Sequence, residues 1–123
     1  MDTTELENLK HLDGEIDKGI SHIIVQLIEY EHNSVVSKSI LKKTTGSINA
    51  MSFASGEGLD EKISPFDSFA QIIDGSAEIT ISKKTYVLRL GEGMIIPAHT
   101  PNIIKANQRF KMIITTIKSG YDA

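Results

Sequence analysis

The stretch from Gly75 through Asn102, GSAEITISKKTYVLRLGEGMIIPAHTPN, most constrains what this chain can fold into. Apolar and polar residues alternate along Ala77-Glu78-Ile79-Thr80-Ile81, Ser82-Lys83-Lys84 makes a polar tip, and Tyr86-Val87-Leu88 resumes the β-prone run. A glycine turn, Gly91-Glu92-Gly93, leads into the apolar Met94-Ile95-Ile96, which stops at Pro97. Alternation with period two, cut by glycine and proline, is a strand signature and excludes a helix here. An antiparallel hairpin followed by a further strand is therefore expected.

At 123 residues the chain has room for one domain with a real core. A net charge of -3, with lysines and acids well interspersed, leaves no basic footprint for nucleic acid and none for an acidic membrane surface. The absence of cysteine excludes disulfides, thiolate catalysis and Cys-ligated zinc or iron-sulfur centres. Met1-Asp2-Thr3-Thr4-Glu5 is acidic and unlike a signal peptide, and the apolar runs fall far short of the ~20 residues of a membrane-spanning helix. A soluble, cytoplasmic protein is the expectation.

Along the chain, Thr4-Glu5-Leu6-Glu7 has the form of a capping box, and Leu6, Leu9, Leu12, Ile16 and Ile20 recur at spacings of three and four. A short helix is predicted from residue 4 to about 12, then a looser connection to 22, packing together on a barrel that occupies 23–119. Strands are predicted over Ile23–Tyr30, Val35–Lys42, Ser47–Phe53, Ser68–Ile73, Asn102–Ala106 and Arg109–Ile117, besides those of the central stretch. Lys62–Pro65 is read as extended because of its proline. Nine or ten short strands with turns at near-regular spacing mean an all-β sandwich or closed barrel.

The punctuation also matches a known pattern. Gly91, Pro97, Ala98, His99, Asn102 and Ala106 fall on the frame G-x5-P-x-G-x2-H-x3-N, while Lys62, Ser64, Ser68 and Gly75 fall on G-x5-H-x-H-x(3,4)-E-x6-G, opened by Gly56 or Gly58. The chain resembles the small single-domain cupins, the cupin 2-type conserved β-barrel proteins. The block Ile63-Ser64-Pro65-Phe66-Asp67 and Phe110-Lys111-Met112 are similar to one subgroup of them, and the resemblance covers about a hundred residues. It implies a double-stranded β-helix barrel of the cupin or jelly-roll kind, to which the pattern above adds a short N-terminal helix, and pairing into a homodimer through edge strands and sheet faces. Val35, Val36, Ile40 and Leu41 are more apolar than a short edge strand needs, which is compatible with pairing.

Catalytic cupins hold a divalent metal with three histidines and one carboxylate. At those positions this chain carries Lys62, Ser64, Ser68 and Asn102. A protonated lysine offers no lone pair and repels a cation, and hydroxyls and an amide are weak ligands for a transition metal. The histidines His11, His22, His32 and His99 show no H-x-H spacing. No metal cofactor is expected. Two residues could rescue one: His99, in the turn after Pro97, against plain solvent exposure there; and Asp67, brought inward by a bulge, against bonding to backbone donors in the Pro65-Phe66 turn.

Lys62 in the metal's place, with Ser64, Ser68, Asn102 and His99, would suit a small anionic or hydroxyl-rich molecule. The alternative for Lys62 is an ammonium reaching out to water over a packed stem. Met51, Met94 and Met112 read as core, the phenylalanines as core or interface, and Lys83-Lys84 as a solvated tip. The first functional reading is a metal-free, non-catalytic binding barrel. The second is an isomerase, dioxygenase or decarboxylase of cupin type with a non-standard metal site. A third, the sensory half of a regulator, lacks helix-turn-helix and basic patch for DNA contact.

Overall fold

The computed structural model describes residues 9–118 as an all-β barrel of two facing sheets. Its strands are β1 (Leu9–Leu12), β2 (Val35–Lys43), β3 (Gly46–Phe53), β4 (Gly58–Lys62), β5 (Asp67–Asp74), β6 (Ser76–Ile81), β7 (Lys84–Arg89), β8 (Gly93–Ile96), β9 (Asn102–Lys105) and β10 (Phe110–Ile117). The first sheet runs β1-β2-β3-β10-β5-β8 and the second β4-β9-β6-β7. The predicted hairpin is β6-β7, paired from Ser76↔Arg89 to Ile81↔Lys84 across the Ser82-Lys83 tip. Both tip residues take positive φ, 48° and 71°, as a two-residue hairpin turn demands. Gly75, at φ 71°, turns β5 into β6 where an added Cβ would overlap the Arg109 carbonyl oxygen, so only glycine fits.

Alternation decides what each sheet buries. One face of β2, β3, β5 and β10 sends Val35, Phe53, Ile72, Phe110 and Met112 into the barrel, where they meet Ile79, Ile104 and Leu88 of the other sheet. Phe53 and Phe110 stack with ring centroids 4.4 Å apart. The opposite face of the first sheet carries a second apolar cluster, Val36, Ala50 and Ile113, which needs a cover.

That cover is where the structure departs from the sequence reading. Residues Ile23–Tyr30 form no strand; a 3-10 turn at Ile24–Gln26 lays Ile28 over Val36, Ala50 and Ile113. Without a ladder, the segment's carbonyls are bonded by side chains of the sheet below: Ser52 Oγ donates to Glu29 O at 2.8 Å, and the buried Lys111 Nζ to Val25 O at 2.8 Å. Tyr30 donates its phenol to Asp74 at 2.6 Å, with the Arg109 guanidinium over its ring. A β-rich composition became a covering segment because the face beneath it was apolar.

The predicted N-terminal helix is also corrected. Its first residues lie outside the described ones, but Leu9–Leu12 is a strand, parallel to Val35–Lys38. The three-and-four leucine spacing yields to the open edge of β2, whose backbone groups β1 satisfies. Val35 and Val36, offered above as edge apolar matter, are both buried, one in each cluster. β4 was missed as a strand: pairing covers Gly58–Lys62, ahead of the extended segment expected at Lys62–Pro65.

Candidate functional site

Inside the first sheet, polarity changes along the strands. The cross-strand row Val35, Phe53, Phe110 closes one end. Toward the other end follow Ser37, Met51 and Met112, then Ser39, Asn49 and Ile114, then Ser47, Thr116 and Ser68. Each step of two residues keeps the side chain facing inward, so the barrel is apolar at its base and hydroxyl- and amide-lined at its mouth. A cavity of about 310 Å³ opens there.

Lys62, Ser64, Ser68 and Asn102 all line this cavity, as their places on the motif frame implied. Regular alternation from the inward-packed Leu59 would aim Glu61, not Lys62, at the interior. The register shifts between Leu59 and Lys62: Leu59 pairs Ile104 but Lys62 pairs Asn102, three residues against two. The extra residue in β4 puts Lys62 on the inner face, a re-aiming characteristic of β-bulges.

The polar inventory is specific. Ser68 Oγ and Thr116 Oγ1, both on residues that line the cavity, share a hydrogen bond of 2.8 Å; whichever donates, the other's O–H is left over as a donor. Ser64 Oγ accepts the Phe66 N–H at 3.1 Å and keeps its own O–H. Asn102 is 3% exposed, and its Nδ2 donates to the Lys62 carbonyl at 3.3 Å. Its Oδ1 is buried with no hydrogen-bond partner among the described residues. Buried acceptors are nearly always satisfied, by protein groups or by ordered water, so Oδ1 marks a place where a donor belongs.

His99 is not brought into the cavity wall. It is exposed, with φ 61°, so it holds the left-handed position where the motif has glycine, and its N–H bonds the Ser64 carbonyl at 2.7 Å. Asp67 does not turn inward either. It caps a backbone donor, as one reading had it, but the donor is Ala98 N–H at 2.7 Å rather than one in its own turn, where Ser64 takes the Phe66 N–H.

Sequence reasoning missed His11, Ser37, Asn49 and Thr116, which also line the cavity. Alternation in β3 and β10 already put Asn49 and Thr116 on the Met51 and Met112 face. Nothing local foretold His11, which arrives only because β1 pairs at the sheet edge. The donor set at the four ligand positions does not fit a divalent transition metal: it has one amide oxygen, two hydroxyls, an ammonium and no carboxylate. Among the described residues no three His, Asp or Glu side chains group as a metal site would require.

Two facing sheets with this strand order, closed around a mouth on the Gly91–Asn102 frame, define a double-stranded β-helix of the jelly-roll kind. Solved structures agree. A conserved protein of unknown function from Streptococcus pyogenes superposes with a TM-score of 0.81 at 26% identity, over 85% of this chain and 92% of that one. A cupin superfamily protein from Desulfitobacterium hafniense gives 0.76 at 28% identity, over 86% and 96%. A cupin 2 conserved barrel domain protein from Leptotrichia buccalis gives 0.74 at 28%, over 76% of this chain but only 46% of its own. The chain is a small cupin-type barrel domain. No protein-family model and no curated protein matches it, and no helix among the described residues is long and apolar enough to cross a membrane.

Proposed function

We propose that the barrel binds a small hydroxyl-rich or anionic molecule in its mouth, without a metal and without catalysing its conversion. The observation that carries this is the convergence of Lys62, Ser64, Ser68 and Asn102 on one cavity of about 310 Å³, at the lower end of the size of small-molecule sites. Two serine hydroxyls supply donors, Asn102 Oδ1 asks for one, and the Lys62 ammonium stands where related barrels keep a cation. A polyol with a carboxylate answers each of these groups. His99 serves the site through its backbone, by holding the Ser64 segment. The test is a 15N-amide titration with D-gluconate. Shifts at Ser64, Ser68, Asn49 and Asn102 are expected, and their loss in Lys62→Met with amide dispersion unchanged; shifts that persist in that variant refute the role of Lys62. Stoichiometric iron, zinc, nickel or manganese in the purified protein would favour the second reading, a cupin-type enzyme with a non-standard metal site.

We also propose that the chain pairs with a copy of itself through the outer face of β5 and β8. Phe69 and Ile95 are cross-strand neighbours there, 41% and 62% exposed, and β8 ends its sheet with an open edge. Sedimentation at micromolar concentration should show a dimer that Ile95→Lys dissolves; a wild-type monomer refutes it.

A further inference from the structure

Resting on the reading of the cavity as a ligand site, we infer that the site has a second, anion-binding compartment, so that its ligand is an elongated hydroxylated molecule with an anionic group at each end. The compartment, about 490 Å³, adjoins the first across Ser37, Asn49 and His11, which line both. Ser39 and Ser47 continue its hydroxyl floor, and Lys42 and Lys118 stand at its far side.

The placement of Lys42 is a second case of the device that aims Lys62. In β2 the odd-numbered residues Val35, Ser37 and Ser39 face inward, so regular alternation would turn Lys42 to the outer face. The register shifts after Ser39: Ser39 pairs Asn49 but Lys42 pairs Ser47, three residues against two. The extra residue puts Lys42 on the face of Ser47, at the mouth. Two strands on opposite sheets, β2 and β4, thus each use an irregularity to turn a lysine inward at the same end of the barrel. Lys118 joins from the end of β10: its N–H bonds Thr45 O at 2.7 Å, and its Nζ lies 5.8 Å from the centre of the Phe66 ring, a wall of the first cavity. Among the described residues no carboxylate lines the compartment; Glu15 accepts the backbone N–H of Lys42 at 2.7 Å and stays outside the lining. Two ammoniums in a described lining that has no carboxylate are the complement of an anionic group. Lys62 in the first compartment and Lys42 with Lys118 in the second, with serine hydroxyls and an amide lining the two, match a polyhydroxy dicarboxylate better than a monoacid.

Titrations with D-gluconate and D-glucarate, which share a hydroxylated chain and differ in the second carboxylate, separate this from the simpler reading. Glucarate is expected to bind about tenfold tighter, the scale of one added charge-assisted contact at a partly exposed site, and to shift Ser39, Ser47 and Lys118 as well. In the Lys42→Met, Lys118→Met double variant its affinity should fall to that of gluconate; dispersed amide signals verify the fold, and each single variant should lose part of the advantage. Glucarate binding no tighter than gluconate, or an advantage surviving the double variant, overturns the second compartment while gluconate binding that needs Lys62 leaves the first site standing. Failure of both probes to bind overturns the two together.

Discussion

Replacing Asn102 by leucine separates stability from binding at the site. The side chain is 3% exposed; among the described residues its Oδ1 has no hydrogen-bond partner and its Nδ2 a long bond to the Lys62 carbonyl. A buried acceptor left unpaired costs about 1–3 kcal/mol, and the amide bond lost on substitution is worth about 1 kcal/mol. Leucine has nearly the shape of asparagine and adds about 1.5–3 kcal/mol of apolar burial when fully enclosed, of which the cavity side yields only part. The balance is a gain of about 2 kcal/mol. With an unfolding entropy of about 2.1 cal/mol/K per residue, a chain of 123 residues gains about 4 °C in Tm per kcal/mol, so Asn102→Leu should melt about 8 °C higher. The same variant should lose its amide shifts with gluconate, the trade of stability for function expected where a buried polar group is kept for a ligand. Differential scanning calorimetry of wild type and variant, free of ligand, is the assay. An unchanged or lowered Tm refutes the reasoning, because it means that water already satisfies Oδ1 and the acceptor was never orphaned.

Gly75→Ala should lower stability by about 2–4 kcal/mol, because it combines a positive φ with backbone overlap; a urea midpoint that moves by less than 1 kcal/mol with unchanged m contradicts the β5-β6 turn geometry. Lys111→Met should leave global stability within about 1 kcal/mol but free the covering segment, speeding exchange of the Gln26 and Leu27 amides, which bond Ile23 O and Ile24 O, by about tenfold as the bond to Val25 O is lost. Uniform exchange across the chain would show that Lys111 does not pin this segment. Burial first, and then the hydrogen bond to Asp74, raise the Tyr30 phenol above its usual range, with Arg109 opposing. Its stabilising effect is therefore full below pH ~10 and lost as pH rises through the folded value. Tyr30→Phe should flatten the fall in stability above pH ~10, read by chemical denaturation; an equally steep fall in the variant refutes this.

Much of the barrel could be read from local pattern. β-Prone runs bounded by turn residues located β2, β3, β5, β6, β7 and β10 within a residue or two, whichever faces those strands go on to bury. The glycine-proline frame placed Lys62, Ser64, Ser68 and Asn102 at one mouth, because turn geometry is written in the residues that make it. Where competing patterns were both admissible, local reading went astray. Leu9–Leu12 fits a helical and an extended spacing alike, and the free edge of β2 chose between them. Ile23–Tyr30 has strand composition, yet it was drawn over the apolar outer face that Val36, Ala50 and Ile113 share. His99 occupies its frame position but is exposed and does not line the cavity, while its left-handed backbone serves the turn.

What the residues determined by themselves was therefore an all-β barrel and the polar character of its mouth, both consequences of side-chain order along single strands. What only the tertiary structure decided was which charges enter that mouth. Lys62 and Lys42 face inward because one strand of each pair carries an extra residue against its partner, and such a mismatch exists only between two strands. His11 and Lys118 reach the same place through pairings with chain far removed in sequence. A charge's position in a closed barrel is a property of register, and register is agreed between strands, not written in either one.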